Sequence, residues 1–421
     1  MQLRYSFRLD PTPGQCIALA RAFGCARVVY NDAVALRRHA HAEGLPFIID
    51  GELSKQVITQ AKQRPDRAWL GEVSAVVLQQ ALADACVAYR NFFASVSGKR
   101  KGPKMAPPRF RSRRDSRQAI RFTRNARFTI TAGGKLSLPK IGDIAVRWSR
   151  RLPSDPSSVT VIKDAAGRYF ASFVVVVAER PLPRIEAETG IDLGLSHFAV
   201  LADGRKVDSP RFLRRAEKKL KRLQKVLSRK EKGSANRVKA RMKVAKQHAK
   251  VADARREFHH QTSMRIVREN QAIYVEDLAV KGLARTRLAK SVHDAGWSAF
   301  VGMLEYKAKL YGRTFARIDR FHPSSKLCSA CGTLAQVMPL SVREWVCACG
   351  VSHDRDVNAA INILAAGRRQ VAAGRKPDPE MGGKRRPQTP VEAGKTPRPA
   401  RKRQAQGTAE EAGSHRNANA A

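Results

Sequence analysis

Three acidic residues far apart in the chain each stand at the end or the start of an apolar element. Asp192 follows Ile191 in the segment GIDLG, Glu276 ends the apolar run of YVEDL, and Asp356 opens the helical pattern of DRDVNAAINIL. A buried carboxylate is unfavourable unless it is paired, and a hard divalent cation provides that pairing. Two cations held in this way can hydrolyse a phosphodiester. Taken singly, each acid could instead be a helix cap or the partner of an arginine.

Two neighbouring acids must be distinguished from these three. Asp277 directly follows Glu276, and Asp354 lies two residues before Asp356. Because aspartate is a favoured N-cap residue, Asp354 is placed to cap the helix that starts near Asp356.

Four cysteines form two close pairs, at Cys328 and Cys331 and at Cys347 and Cys349. The thiolates of two such pairs make a tetrahedral zinc site in zinc ribbons. The second pair is C-x-C rather than the usual C-x-x-C, and His353 is close enough in sequence to replace one ligand. The sequence therefore predicts a structural zinc site with one shortened pair.

The charge of the chain points to a polyanionic partner. The 421 residues carry 80 Lys and Arg against 36 Asp and Glu, a formal net charge of +44. Such a field excludes an enzyme of small neutral metabolites and favours nucleic acid, with binding that weakens as salt rises. Residues 98–118 form a proline-broken basic stretch, and residues 205–256 carry 21 basic against 4 acidic side chains. Both are predicted to contact phosphates, although a charge run can also be only a solvated face.

The sequence also indicates a compartment. The longest purely apolar stretch, residues 173–178, is far too short to cross a membrane, and the first residues lack the apolar core of a signal peptide. Seven cysteines, an odd number, argue against a secreted disulfide scaffold. We expect a cytoplasmic, nucleoid-associated protein without a membrane partner.

The first half of the chain combines one early strand with a later group of strands. A strand is expected at residues 3–9, helices at 14–42 and 73–96, and six strands between 119 and 178. We predict an N-terminal domain over residues 1–182, in which a small β-barrel (1–10 and 119–182) contains an inserted helical lobe (11–118).

The second half alternates strands and helices, which favours an α/β fold with a mixed sheet. A β-hairpin is expected around Gly194 and Leu195, and Gly233 is expected to break residues 204–256 into two helices. We predict one domain over 183–366 that includes a zinc ribbon at 326–350. Residues 367–421, rich in Pro, Gly, Ala and Arg, are expected to form a disordered basic tail.

In this order, the motifs resemble the TnpB (OrfB) family of insertion-sequence proteins, transposon-borne relatives of type V CRISPR effectors. The matching segments are GIDLGLSHFAVLADG, IYVEDLAVKGL, AKSVHDAGWSAFVGMLEYKAKLYG, IDRFHPSSKLCSACG and HDRDVNAAINIL. The opening YSFRLDPTPGQ, the helix with VVYND and the PPRFRS loop are also similar. The C-x-C pair is the departure from the family pattern.

The resemblance implies an RNase H-like (RuvC) nuclease domain with an inserted zinc ribbon, next to a barrel and a helical lobe that hold a guide RNA made from the transposon end. It implies a metal-dependent DNA endonuclease whose target DNA is selected by pairing with that guide. The residues so implied are Asp192, Glu276 and Asp356 for catalysis and for Mg²⁺, and Cys328, Cys331, Cys347 and Cys349 for Zn²⁺.

Two other hypotheses remain open at this point. One is a guide-independent transposase or transposase accessory, and the other is a catalytically silent regulator that binds nucleic acid. Three intact acids argue against the silent version.

Overall fold

The first sheet joins the start of the chain to strands that follow more than a hundred residues later. The structure, a computed structural model, describes residues 1–374 except 337 and 340. Seven strands lie in the order β2-β6-β7-β1-β5-β4-β3. Their bounds are β1 (Gln2–Asp10), β2 (Gln118–Thr123), β3 (Thr129–Ile130), β4 (Leu136–Leu138), β5 (Gly142–Arg147), β6 (Ser158–Lys163) and β7 (Tyr169–Val176).

Strand β1 lies inside this sheet, antiparallel to both β7 and β5. The expected pairing of the N-terminal strand with the later strands is therefore confirmed. Strands β2 and β3 stand at the two ends of the order, and within the described residues they do not pair with each other. The structure thus shows a seven-stranded antiparallel sheet, and closure into a barrel stays a prediction.

The helices of the first half are inserted between β1 and β2. They are α1 (Pro13–Ala42), α2 (Asp50–Ser54), a π-helical turn (Lys55–Gln60), α3 (Ala61–Gln63), a 3-10 helix (Pro65–Glu72) and α4 (Ala75–Val96). Thr12 and Gln15 form a reciprocal capping box that fixes the start of α1. Both long helices therefore lie close to where the apolar periodicity predicts them.

The basic segment 98–118 has no helix or strand before Gln118, as expected for a loop, yet it is anchored to α1. Asn31 accepts the backbone N–H of Arg111 at 2.8 Å and donates to the carbonyl of Arg111 at 2.9 Å. Arg38 donates to the carbonyl of Pro108 at 2.6 Å. The basic side chains are thus presented from a fixed backbone.

The second sheet is mixed, as the alternation of elements predicts. It contains β8 (Glu188–Asp192), β9 (His197–Leu201), β10 (Lys206–Asp208), β11 (Ala272–Glu276) and β12 (Thr314–Ile318), in the order β10-β9-β8-β11-β12. Strands β8, β11 and β12 are parallel, whereas β9 and β10 run antiparallel to their neighbours. The expected hairpin around Gly194 is the β8–β9 turn.

Six helices and a small hairpin complete the second half. They are α5 (Phe212–Ser228), α6 (Ala235–Glu269), α7 (Val280–Leu283), α8 (Ala289–Ala295), α9 (Trp297–Leu310), β13 (Glu344–Val346), β14 (Ser352–Asp354) and α10 (Arg355–Ala372). Gly233 has a φ of +96° in the turn between α5 and α6. This confirms the expected break, because glycine adopts such angles without strain.

Two glycines allow α10 to lie directly on the second sheet. A Cβ on Gly190 of β8 would stand 2.1 Å from the carbonyl oxygen of Ala360 and 2.4 Å from the amide nitrogen of Leu364. A Cβ on Gly367 of α10 would stand 2.1 Å from Cδ1 of Tyr274 in β11. No larger residue fits at either contact, so helix and sheet approach each other through these positions.

The contact at Gly367 corrects the expected start of the C-terminal tail. Composition predicts that the tail starts at residue 367, but α10 continues through Ala372. Gly367 belongs to this helix and packs on the Tyr274 ring. The expectation of a disordered basic tail otherwise concerns residues 375–421, which lie outside the described part of the chain.

Separate apolar clusters lie under the two sheets. One gathers α1, α4 and the first sheet, and others gather around β8, β11, β12 and the helices on them. Arg168 beside β7 forms an ion pair with Asp253 of α6, and the described residues belong to one compact unit. The boundary at 182/183 stays a prediction.

Among the described helices, none is long and apolar enough to cross a membrane by itself. One bent pair, Pro65–Glu72 with Ala75–Val96, passes by length and composition.

We expect Gly190→Ala to destabilise the protein by about 3 kcal/mol or more, because the methyl group collides with helix backbone that cannot move aside. The control is Gly302→Ala in α9, where a Cβ meets nothing within 4 Å. That change should be neutral or stabilising by less than ~1 kcal/mol. Denaturant unfolding of both variants measures the difference, and equal stabilities would contradict the assigned contact.

Candidate functional site

Two of the predicted acids end adjacent parallel strands. Asp192 is the last residue of β8 and Glu276 is the last residue of β11. The strands pair in register with Ile191 opposite Val275, so the next residue of each strand is one of the two acids. The carboxyl ends of parallel strands meet at one edge of the sheet, where ligands bind in open α/β sheets.

The third acid reaches the same edge on helix α10. Asp356 is the second residue of α10, one turn before Ala360, which packs on Gly190. Strand residues two apart share a face, so Asp192 faces α10 together with Gly190. The advance along the strand, about 6.6 Å, matches that of four helix residues, about 6 Å. The contact at Gly190 therefore carries Asp356 towards Asp192.

Asp354 has the capping role that its position predicts. Its Oδ1 accepts the backbone N–H groups of Asp356 and Val357, each at 3.0 Å, and its other oxygen pairs with Lys206 Nζ at 2.5 Å. Those hydrogen bonds and that ion pair occupy both oxygens of Asp354. The cap holds the first turn of α10, and with it Asp356, in place.

The other near neighbour is also engaged elsewhere. Asp277 pairs with the guanidinium of Arg320, and its backbone carbonyl accepts a second bond from Arg320 Nε at 2.9 Å. Arg320, just after β12, therefore holds Asp277, whereas the carboxylate of Glu276 stays at the carboxyl end of the parallel strands.

Nearby arginines compensate the charges of Asp192 and Glu276 only in part: Arg355 and Arg343 lower the pKa of Asp192, and Arg320 lowers that of Glu276, but opposing effects are larger. Burial, and after it the charges of Asp356 and Glu276, raise the pKa of Asp192 to about 7. Burial, and after it the charge of Asp277, raises the pKa of Glu276 to about 7. Within the described residues neither side chain takes part in a hydrogen bond or an ion pair. The site therefore favours a bound cation.

Arg343 is a basic residue at this site that the sequence did not single out. Its guanidinium lies 3.4 Å from Oδ1 of Asp356 and is 57% exposed, whereas the Asp356 side chain is 17% exposed. Arg343 comes from the segment between the cysteine pairs, so only the fold brings it to the acids.

The four cysteines converge as predicted. Their sulfur atoms all lie within 4.8 Å of one another, which makes them the one group of three or more such ligands found among the described residues. Cys328 and Cys349 are 3.8 Å apart, and Cys331 and Cys347 are 3.6 Å apart. Four sulfurs about 2.3 Å from a tetrahedral zinc ion are separated by about 3.8 Å. The cluster therefore fits zinc, and the C-x-C pair supplies both of its ligands.

The three acids are not gathered as tightly as the cysteines, because they do not form a group within that 4.8 Å span.

His353 stands beside the cysteines rather than in place of one of them. Its Nε2 lies 3.0 Å from Sγ of Cys328, and its ring packs on Trp345 at 4.9 Å between centroids. A hydrogen bond to a metal-binding sulfur orients that ligand. The open alternative, in which His353 replaces a ligand, is therefore not needed to complete a set of four.

Two asparagines of α10 connect the cysteine cluster to the acids. Asn358 accepts the backbone N–H of Ser329 at 2.9 Å and donates to the carbonyl of Leu327 at 2.8 Å. Asn362 donates to the carbonyls of Leu327 and Ser324 at 2.6 and 2.8 Å. Both asparagines are buried. Their hydrogen bonds attach the turn that contains Cys328 to the helix that carries Asp356. The only signal for this contact in the sequence is a pair of asparagines four residues apart in an apolar helix, and the sequence alone assigns them no role.

Three family models and named proteins of other organisms are similar to this chain. The IS605 OrfB model, described as "Probable transposase", matches residues 172–287, and the "Cas12f1-like, TNB domain" model matches residues 297–363. A "Helix-turn-helix domain" model matches residues 1–45, which here form β1 and the single helix α1. A Streptomyces pristinaespiralis protein named "Putative RNA-guided DNA endonuclease" is 43% identical over 374 residues, 88% of this chain and 90% of its own length. The chain belongs to the TnpB (OrfB) family.

Other relatives of this TnpB-family chain extend the same likeness. Escherichia coli (strain K12) has a protein named "Putative RNA-guided DNA endonuclease InsQ", which is 29% identical over 88% of this chain and 93% of its own. A Cas12f1–sgRNA–target DNA complex contains a chain with a TM-score of 0.50, 14% identity and 83% coverage of both chains. The endonuclease CRISPR-Cas_phi3 gives 0.50 and 10%, covering 90% of this chain and 93% of its own. These two structures share the fold.

We expect Asn358→Ala to loosen the zinc ribbon from α10 in this TnpB-family protein. The change leaves the backbone N–H of Ser329 without its partner, which costs about 1–3 kcal/mol, and removes one of the two donors to the Leu327 carbonyl. Release of zinc to a chromogenic chelator should be about tenfold faster or more. The control is Asn236→Ala at an exposed position of α6. Equal zinc release from both variants would show that the asparagine contacts do not support the metal site.

We also expect Asp192→Asn to change how stability depends on pH. The raised pKa of Asp192, about 7, means that the folded state keeps a proton that the unfolded state releases near pH 4. Stability of the magnesium-free protein should therefore fall as pH rises from about 4 to 7.

In Asp192→Asn, the part of this loss of stability that comes from ionisation of Asp192 is absent. In Mg²⁺-free buffer its Tm should exceed that of the wild type by a few degrees at pH 8, with little difference at pH 4. Added Mg²⁺ should stabilise the wild type more than the variant. A Tm difference that does not change with pH would contradict the raised pKa of Asp192.

Proposed function

We propose that this TnpB-family chain is an RNA-guided DNA endonuclease whose nuclease centre is the RuvC-like edge with Asp192, Glu276 and Asp356. The observation that carries the proposal is the meeting of three acids, distant in sequence, at one sheet edge where two of them have pKa values raised to about 7. The names of the relatives supply the reaction class.

The three acids would hold Mg²⁺. Carboxylate oxygens are the ligands that this ion prefers, and neutralisation by the ion removes the unfavourable burial of Asp192 and Glu276. A pair of such ions supplies an activated water and stabilises the leaving oxygen of the phosphodiester. The chain's own part is to fix the acids: β8 and β11 hold two of them, and the Asp354 cap and the Gly190 contact hold the third.

Zinc in the cysteine cluster would have a structural role. The four sulfurs form a closed set, so no position is left for substrate. Through Asn358 and Asn362 the zinc ribbon supports the first half of α10, and it also supplies Arg343 to the edge.

The basic surfaces would hold nucleic acid. The α5–α6 hairpin presents a face too rich in Lys and Arg for internal pairing, and the anchored loop 98–118 presents another. We infer that they bind a guide RNA derived from the transposon end together with target DNA, so that base pairing selects the site.

The acids give the first test. Asp192→Ala in the complex with its native guide should lower Mg²⁺-dependent DNA cleavage at least about 10³-fold, because the remaining acids cannot hold both ions. The control is Asp203→Asn, an exposed acid of the β9–β10 turn that pairs with Arg205. Cleavage by Asp192→Ala at the wild-type rate would remove this residue from the mechanism.

Nucleic acid that co-purifies with the protein gives the second test. One defined RNA is expected, and without it the protein should not cleave a matching DNA. Cleavage of transposon ends by RNA-free protein would favour the transposase hypothesis, and tight binding without metal-dependent cleavage would favour the silent regulator.

A further inference from the structure

Phe321 is a large apolar side chain that the fold leaves in solvent. It is 87% exposed, the highest value among the large hydrophobic residues of the described chain, where the next value is 71%. Single exposed apolar residues are common and need no explanation by themselves. Phe321 differs in how it is held and in where it stands.

The turn that carries Phe321 is fixed by hydrogen bonds on both sides. Asp319 accepts the backbone N–H of Phe321 through its carboxylate at 2.7 Å, and its carbonyl accepts that of His322 at 3.2 Å. On one side Arg320 is tied to Asp277, and on the other the carbonyl of Ser324 accepts Asn362. Phe321 is therefore presented outwards by a braced turn.

The turn lies at the same sheet edge as the acids. In the parallel pair of β11 and β12, Glu276 is opposite Ile318, so Phe321 stands three residues beyond the partner of Glu276. Arg320, the residue before Phe321, binds Asp277, the residue after Glu276. The turn that carries the ring therefore lies at the end of the sheet that holds Glu276.

The surroundings suit a nucleotide. Arg369 of α10 lies near enough to His322 to lower the pKa of that imidazole, although burial lowers it more. An exposed aromatic ring next to cationic groups is the arrangement with which proteins bind single-stranded nucleic acid, since a base stacks on the ring and its phosphates meet positive charge. Inside a duplex both faces of every base are covered by its neighbours, whereas an unpaired base can turn one face to the ring.

We propose that Phe321 is a positioning residue that stacks on one base of the single-stranded DNA entering the carboxylate site. The proposal rests on the nuclease function proposed above and adds a contact that orients the strand. Stacking is indifferent to which base is present, because every base has an aromatic face. The contact therefore leaves sequence selection to pairing with the guide.

Photocrosslinking tests the contact without requiring cleavage. Full-length Asp192→Ala protein with its co-purified RNA is irradiated with single-stranded DNA oligonucleotides that carry one 5-iododeoxyuridine at successive positions. At one position the adduct should lie on Phe321 by mass spectrometry. In Asp192→Ala/Phe321→Leu, which keeps the apolar bulk but not the ring, it should be lost. Adducts only elsewhere would overturn the proposal, and so would a stronger Phe321 adduct with RNA of the same sequence.

Cleavage kinetics form the second arm. Phe321→Leu should raise KM for DNA about tenfold, as expected for the loss of one stacked base, whereas Phe321→Trp should keep the wild-type value. The control is Leu288→Ala, an apolar residue between α7 and α8 that is 46% exposed, and it should keep the wild-type KM. An unchanged KM in Phe321→Leu overturns the proposal while the nuclease function stands. If no variant cleaves DNA, the nuclease function fails, and crosslinking still decides the stacking.

Discussion

The close contact between helix α10 and strand β8 determines what the second half of this protein can do. A helix normally stands off a sheet by the thickness of the side chains between them. Here Gly190 has none, so the backbone at Ala360 lies directly on the strand. A larger residue would lift α10 away from the sheet, and Asp356 would move away from Asp192 with it. Gly367 repeats this contact two turns later on Tyr274.

The same helix links two sites of different chemistry. Its acidic first turn faces the sheet edge, and its asparagines at 358 and 362 hold the turn that contains Cys328. Thiolates favour zinc, whereas carboxylates favour harder ions such as Mg²⁺. In the proposed function, zinc would therefore provide rigidity and the carboxylates would hold the ions of the reaction. The shortened C-x-C pair is compatible with a zinc site, because the sulfurs of Cys347 and Cys349 belong to the same group of four.

Much of this arrangement can be predicted from the sequence, where local rules decide the outcome. The Asp354 cap, the break at Gly233 and the strand that ends at Glu276 follow from the chemistry of single residues or from short patterns. The cysteine spacing also suffices, because a metal site brings together residues that lie close in the chain. The resemblance to the TnpB family added the roles of the acids, which spacing alone leaves open.

Other features depend on contacts between distant segments and leave no local signal. In the sequence Gly190 cannot be distinguished from other glycines, because its role depends on the distant helix that packs on it. Arg343 lies in a segment without a recognisable pattern. Composition predicts too early an end for α10, because a segment rich in glycine and arginine can still be helical when it packs on Tyr274. Whether the first sheet closes depends on strand curvature, which hydrophobic alternation does not encode.

The central place of strand β1 has a consequence for the order in which the protein is made. Its partner strands β5 and β7 end at Arg147 and Val176, so both edges of β1 stay unpaired until β5 has left the ribosome, and one edge stays unpaired until β7 has followed. Helices form from local contacts and can be complete much earlier. The nascent chain therefore exposes a basic helical segment and a naked strand together, a state open to misassociation.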